Sequence, residues 1–176
     1  FMNDSGYKNS AWWTKTGRDW KNDVQEPSSW DDVLWNGDDY PVVGVSWYEA
    51  IAFCNWLSDK MGAKILLPTD AQWQRAVKGD DNRSYVWGNE WHDKLCNHGV
   101  GGNGIKRTTP VRQYEGKSDS PFGVVDMVGN VWEWCLTEYH TGQDNLDVDG
   151  IRILRGGSWA IFGENWFRNT FRSAYY

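Results

Sequence analysis

Residues 121–135 read PFGVVDMVGNVWEWC, and residues 152–159 read RILRGGSW. Trp132 and Trp134 flank a charged residue, which is the period-two pattern of a strand with one buried face. The same period recurs in Ile151 and Ile153, at the residue before the second stretch and within it. Together with other short apolar runs, the pattern predicts small twisted antiparallel sheets, with strands over residues 64–67, 131–136, 151–155 and, as a further candidate, 167–175.

Two capping boxes mark the starts of helices elsewhere in the chain. In Ser46-Trp47-Tyr48-Glu49 and in Thr69-Asp70-Ala71-Gln72, a hydroxyl side chain stands three positions before an acid or an amide. Each side chain can then bond the backbone N–H of the other residue. Apolar residues follow at helical spacing in both cases. The sequence therefore predicts one helix over residues 47–59 and a second over 70–78, which Gly79 would end.

Further short motifs stand in a fixed order: PVVGVSWYEA at 41–50, FCNWLS at 53–58, LPTDAQW at 67–73, YVWGN at 85–89 and TPV at 109–111. With the two opening stretches, they resemble the formylglycine-generating enzyme family, also called sulfatase-modifying factors. The resemblance implies a single α+β domain over residues 1–176. Its fold would be an elaborated C-type lectin fold with two helices, small sheets and a high loop content. We also expect N- and C-terminal parts of the full family domain to be absent.

The composition fits one domain and excludes several function classes. The chain has 176 residues and a net charge of −6, and its 14 Trp, 8 Tyr and 6 Phe supply much of the buried area. An acidic balance disfavours nucleic acid as a partner, because phosphate binding needs a basic face. No run of about 18 apolar residues is present, so we expect no membrane span. Three cysteines without a Cys-x-x-Cys unit argue against a disulfide scaffold or a structural zinc site.

The chemistry that the resemblance implies depends on thiols. Family enzymes convert a sulfatase cysteine to formylglycine with molecular oxygen, using two thiolates that hold Cu(I), an ion that soft sulfur ligands select. Counting from the Gly-Gly-Ser-Trp motif, the matching positions are Ile161 and Trp166, and neither side chain can bind copper or exchange disulfides. We therefore expect no copper. Ser158 and Trp132 match residues near the family active site, so the resemblance implies a pocket without its redox groups.

Calcium is the cofactor that the resemblance implies, because Ca²⁺ takes hard oxygen ligands from irregular loops. By position, a first site would use the side chains of Asp126 and Glu133 with the carbonyls of Gly129 and Val131. A second would use the side chains of Asn97 and Asn103 with the carbonyls of His98 and Ile105. In the alternative without a metal, Asp126 and Asn130 cap turns and Glu133 pairs with an arginine.

The segment that follows Trp159 is rich in aromatic and amide side chains. This composition is typical of binding surfaces, although the same rings could fill the core beside a terminal strand. The segment also resembles the variable proteins of diversity-generating retroelements, in which residues after Gly-Gly-Ser-Trp are rewritten at adenine-containing codons and contact the ligand. The contact residues that this resemblance implies are Ala160, Ile161, Phe162, Asn165, Trp166, Phe167, Asn169, Phe171, Tyr175 and Tyr176.

Two functions from different classes stay open. The first is a noncatalytic recognition module that binds a protein or another surface ligand through residues 160–176, at the cell surface or outside the cell. The second is a sulfatase-modifying oxidase that is inactive here through loss of its thiols, or that uses a different redox group. The side chains at positions 161 and 166 favour the first.

Overall fold

The computed structural model describes residues 1–35, 37–102, 104–146 and 150–175. Its elements are the helices α1 (Lys15–Lys21), α2 (Trp47–Met61) and α3 (Asp70–Lys78), and the strands β1 (Glu133–Glu138), β2 (Arg152–Arg155) and β3 (Ser173–Tyr175). Short 3₁₀ turns lie at Met2–Asp4, Ser10–Trp12, Val100–Gly102 and Glu164–Phe167. Irregular backbone connects these elements. The result is the predicted α+β fold with a high loop content.

Both capping boxes form as the sequence predicts. At the start of α2, the Ser46 hydroxyl accepts from the Glu49 N–H at 3.2 Å, and the Glu49 carboxylate accepts from the Ser46 N–H at 2.6 Å. Thr69 and Gln72 make the same reciprocal pair at the start of α3. α2 ends at Met61, just past the predicted boundary, and the next residue, Gly62, caps it with left-handed backbone.

The sequence patterns did not predict α1. The Thr14 hydroxyl caps its first turn by accepting from the Gly17 N–H at 3.0 Å. Gly17 is the only buried residue of α1, so the helix has no apolar stripe that periodicity could reveal. It packs against α2. Tertiary contact therefore stabilises this short helix.

The three strands form one antiparallel sheet in the order β1-β2-β3. The register pairs Trp134 with Leu154 and Ile153 with Ala174. An irregularity between Trp134 and Glu138 bends β1. Both β1 and β2 begin slightly later than predicted.

Two strand predictions are corrected by the structure. Residues 64–67 are not a strand, because the Ile65 N–H bonds to the Ser58 hydroxyl at 2.8 Å rather than to a neighbouring strand. Of residues 167–175, only the last three join the sheet. The first residue of the predicted strand, Phe167, instead ends a 3₁₀ turn over Glu164–Phe167, and this turn places the Phe167 ring in the core.

The main hydrophobic core lies between α3 and the sheet. Trp73 and Val77 of α3 meet Cys135 of β1, Ile153 of β2 and the ring of Phe167 there. The core therefore fixes the point at which the chain leaves β2 and begins the C-terminal segment. Within the described residues, no helix is long and apolar enough to cross a membrane.

Candidate binding face

The backbone that follows β2 is held by main-chain hydrogen bonds from other loops. The Trp159 N–H donates to the Asn130 carbonyl at 3.0 Å, and the Ile161 carbonyl accepts from the Gly99 N–H at 3.0 Å. Gly99 has no room for a side chain, because a Cβ there would lie 2.9 Å from the Trp159 carbonyl oxygen. These hydrogen bonds involve no side chain of residues 159–161, so they tolerate different side chains there.

Arg155 holds the next part of the segment. Its side chain is 1% exposed, and its guanidinium donates to the carbonyl oxygens of Asn169 at 3.2 Å and Phe171 at 2.7 Å. The same guanidinium pairs with Asp70 of α3. Burial lowers the pKa of Arg155, and Asp70 opposes that shift. The Asn169 N–H adds a hydrogen bond to the Ser84 carbonyl at 2.8 Å, so groups outside the segment position its backbone.

Several predicted contact residues are exposed. Phe162 is 72% exposed, Trp166 is 42% exposed and Tyr175 is 67% exposed. Ala160 and Asn165 also lie on the surface. A ligand can reach these five side chains without any change in the fold.

Three rings form a partly exposed cluster beside this segment. The Trp166 ring lies 4.7 Å from the Phe171 ring and 6.4 Å from the Trp132 ring, between centroids. Phe171 and Ile161 are half-buried. We call Ala160, Phe162, Asn165 and Trp166, together with Trp132 and Phe171, the candidate face. Rigid rings of this kind offer a large contact area at a low cost in conformational entropy.

Two predicted contact residues lie in the interior instead. Phe167 is 1% exposed and packs 5.2 Å from the Trp91 ring. Asn169 is fully buried, and its side-chain amide donates to the Arg83 carbonyl at 3.2 Å. Both residues attach the segment to the fold and are excluded from the candidate face. Tyr176 lies outside the described residues.

None of the three cysteines belongs to the candidate face. Cys54, Cys96 and Cys135 are buried and unpaired. Burial raises the pKa of each thiol, that of Cys135 to about 12. Thiolate, the nucleophilic and metal-binding form, is therefore scarce at neutral pH. Positions 161 and 166 carry an aliphatic and an indole side chain, which cannot replace it.

Two half-buried carboxyl groups lie near the start of β1. The Asp126 carboxylate accepts from the side-chain amide of Asn130 at 2.8 Å, and the Glu133 carboxylate accepts from the Trp73 ring N–H. Burial raises the pKa of both groups to about 7, and Asp126 adds to the shift at Glu133. Within the described chain, neither carboxyl group forms a salt bridge.

A buried polar network joins this region to the loop around Asn97. The Asn97 side-chain amide donates to the Arg107 carbonyl at 2.8 Å and to the Asn130 side-chain oxygen at 3.2 Å. The Asn97 side-chain oxygen has no hydrogen-bond partner among the described residues. His98 is engaged through its ring, whose Nδ1 accepts from the Val100 N–H at 3.0 Å.

Residues 1–175 match the family described as the sulfatase-modifying factor enzyme 1-like domain. The chain belongs to this family. Among relatives of this family domain, the inactive C-alpha-formylglycine-generating enzyme 2 of Bos taurus is 32% identical over 130 residues, 69% of this chain and 39% of the relative. The formylglycine-generating enzyme of Bos taurus is 28% identical over 171 residues, 85% of this chain and 42% of the relative. The chain thus spans about two fifths of the length of these relatives.

The fold of the family domain is also found in a solved structure. Treponema denticola variable protein 1 superposes with a TM-score of 0.62 at 24% sequence identity, covering 89% of this chain and 74% of that protein. This likeness shows the C-type lectin-like fold of the formylglycine-generating enzyme type.

The resemblance implies calcium ligands in this region, although the described residues contain no group of three or more His, Cys, Asp or Glu side chains that could hold a metal ion. Asp126 and Glu133 offer two hard carboxyl groups that lack a positive partner in the described chain. In the alternative without a metal, Glu133 would pair with an arginine, but its carboxylate accepts from the Trp73 ring N–H instead. Asn130 does make the local hydrogen bonds of that alternative, to the Asp126 carboxylate and to the Thr109 backbone. In the second set, the unpaired Asn97 oxygen can accept a cation. Ile105 is exposed, and Asn103 lies outside the described residues.

Sequence patterns missed one aromatic contact beside the candidate face. The Trp35 ring stacks on the Trp159 ring, with centroids 5.5 Å apart and planes inclined by 24°. More than a hundred residues separate the two positions, so no local pattern reveals the contact. The loop before α2 therefore borders the start of the C-terminal segment.

Proposed function

We propose that this domain is a noncatalytic recognition module whose ligand, a protein or another surface molecule, binds the candidate face. One observation carries the proposal. Residues 159–171 are attached to the fold in two ways, by hydrogen bonds to their main chain and by the buried side chains of Phe167 and Asn169. Several other side chains of the segment are exposed. Exposed rings beside small polar groups have the composition of binding surfaces.

Diversification by a retroelement would use the same combination of a fixed backbone and exposed side chains in the C-terminal segment. The backbone hydrogen bonds at Trp159, Ile161 and Phe171 survive any change of side chain at Ala160 or Phe162. The structural likeness to a protein named as a variable protein supports this extension of the proposal. A noncoding near-copy of the DNA that encodes residues 156–176, differing mainly at adenines, is expected nearby. The absence of such a copy would contradict diversification. It would not contradict the recognition proposal, which surface display tests separately.

The alternative function is the oxidation that the name of one relative describes. Its support is family membership alone. Ile161 and Trp166 cannot supply the two thiolates, and the three thiols present are buried with raised pKa values. Another relative carries the word inactive in its name, so the family also contains members described as noncatalytic.

In this proposal, calcium would stabilise the loops that carry the C-terminal segment. Asp126 and Glu133, with the carbonyls of Gly129 and Val131, would hold one ion close to the turn that receives the Trp159 N–H. The ion would supply positive charge to two desolvated carboxyl groups. The unpaired oxygen of Asn97 supports a second ion nearby.

Surface display of two libraries tests the recognition proposal. The first randomises Ala160, Phe162, Asn165 and Trp166, and the second randomises the interior pair Phe167 and Asn169. We expect most members of the first library to resist protease as the parent does, and some to bind an unrelated protein offered as bait. The second library is expected to lose protease resistance. Equal loss in both libraries would contradict the proposal, because the exposed positions would then be structural.

A further inference from the structure

A cleft of about 300 Å³ lies in the loop between α1 and α2. The residues that line it include three aromatic residues, Trp30, Trp35 and Tyr40, and two acidic residues, Asp31 and Asp38. Its volume is at the lower end of the range for small-molecule sites. No residue of the candidate face lines this cleft, so the proposed function does not account for it.

The aromatic residues of the cleft are half-buried and set by tight turns. The Trp35 N–H donates to the Asp32 carbonyl at 2.9 Å, and the Tyr40 N–H donates to the Gly37 carbonyl at 2.9 Å. The Tyr40 ring packs on Gly37, where a Cβ would lie 2.6 Å from a ring carbon. The faces of aromatic rings attract cations, and several rings around one cavity suit a quaternary ammonium group.

The segment that forms the cleft carries charge of one sign. Between Lys21 and Lys60 the sequence contains no Lys, Arg or His and eight acidic residues, which are Asp23, Glu26, Asp31, Asp32, Asp38, Asp39, Glu49 and Asp59. Asp31 and Asp38 are exposed at the cleft, and neither forms a salt bridge within the described chain. A concavity lined by charges of one sign concentrates the field and attracts ligands of opposite sign.

We propose that this cleft binds an alkylated ammonium group, carried by a small molecule or by a methylated lysine side chain. The rings contact the alkyl groups of the cation, and the two carboxylates balance its charge. A hydrated metal ion gains little from the rings, and a neutral ligand gains no charge–charge attraction from the carboxylates. The site is separate from the candidate face, and the stack of Trp35 on Trp159 joins it to the start of the C-terminal segment.

Calorimetric titration with choline tests the proposal. The matched ligand is its uncharged isostere, in which a tert-butyl group replaces the trimethylammonium group. We expect saturable binding of choline and at least about tenfold weaker binding of the isostere, since the cation–π and carboxylate contributions both require charge. Equal affinities, or no saturable choline binding at millimolar concentration, would overturn the proposal. A trimethyllysine peptide distinguishes the source: tighter binding than choline indicates a protein partner, and weaker binding indicates a small molecule.

Charge-neutralising variants locate the binding site. The double variant Asp31→Asn/Asp38→Asn is expected to weaken choline binding by about three- to tenfold while leaving the thermal melt unchanged, because both side chains are exposed. The control Asp23→Asn/Glu26→Gln removes the same charge from the same acidic stretch outside the cleft and should leave the affinity within about twofold. Tyr40→Leu removes one ring and should weaken binding further than the control. If the control weakens binding as much as the cleft variants do, the cleft is not the site.

Discussion

The Arg155 guanidinium donates to the carbonyl oxygen of Phe171 at 2.7 Å. This hydrogen bond ties the C-terminal segment to a side chain that is itself paired with Asp70 at the start of α3. The contact reaches the backbone rather than the Phe171 ring. Arg155 therefore supports the segment whatever side chains its exposed positions carry.

Replacing Arg155 should destabilise the domain far more than replacing its neighbour Arg172. Both arginines pair with Asp70, but Arg155 is 1% exposed and Arg172 is 40% exposed. Arg155→Met leaves two buried carbonyls without their donor and leaves Asp70 with only the exposed Arg172 as a partner, so it should lower the free energy of unfolding by about 3–5 kcal/mol. Arg172→Met should cost less than about 1 kcal/mol. Urea denaturation measures both, and similar losses would show that Arg155 has no special supporting role.

Two phenylalanines of the segment provide a matched test of the candidate face. Phe167→Ala opens a cavity in the main core and should cost about 3–5 kcal/mol of unfolding free energy. Phe162→Ala removes a ring that is 72% exposed and should change stability by less than about 0.5 kcal/mol. The measurement is again chemical denaturation. A large loss for Phe162→Ala would place that ring in the core and remove it from the face.

The contrast between these phenylalanines shows which features of the fold cannot be predicted from sequence patterns. Both capping boxes were predictable, because each is complete within four consecutive residues. Phe162 and Phe167 are chemically identical, and only a 3₁₀ turn and long-range contacts with Trp91 bury the second. The strand predicted over 64–67 fails for a related reason: its backbone bonds to a helix side chain, a partner that no alternation pattern encodes.

The residues of the candidate sites also include some that the sequence indicated and some that it did not. The family motifs drew attention to the C-terminal segment and to the carboxyl groups of Asp126 and Glu133 as candidate sites. They did not indicate Trp35, which reaches Trp159 from a distant loop, or the cleft that this loop forms. Such sites depend on tertiary proximity between segments that have no shared pattern.

The three thiols should be unreactive in the folded protein. Burial raises their pKa values, so the thiolate form appears only well above the pH at which a free cysteine ionises. With a pKa of about 12, Cys135 is thiolate in about one molecule in ten thousand at pH 8. A thiol reagent at pH 8 should label the native protein slowly and label all three cysteines in denaturant. Rapid labelling of the native protein would contradict the burial of the thiols.

Calcium should stabilise the domain through the Asp126 and Glu133 pair. At about one hundred times the dissociation constant, the gain is about 2.7 kcal/mol, seen as a rise in the thermal midpoint. Asp126→Asn/Glu133→Gln should abolish the part of the gain that this site supplies. Without calcium this variant should be at least as stable as the parent, because it removes two desolvated charges.

The control for the calcium experiment is Glu164→Gln, which neutralises an exposed acid of the C-terminal segment. It should keep the full calcium response. An unchanged thermal midpoint of the parent on adding calcium would contradict the assignment, as would an equal response from the double variant.

Recognition without oxidation is the central claim, and a single assay tests it most directly. The protein is loaded with Cu(I) in air and incubated with a Cys-x-Pro-x-Arg peptide, beside a family enzyme that has both thiols. Mass spectrometry after hydrazide trapping detects any formylglycine aldehyde. We predict that the control enzyme converts the peptide and that this domain leaves its cysteine intact, since Ile161 and Trp166 cannot hold copper. An aldehyde formed by this domain would contradict the account.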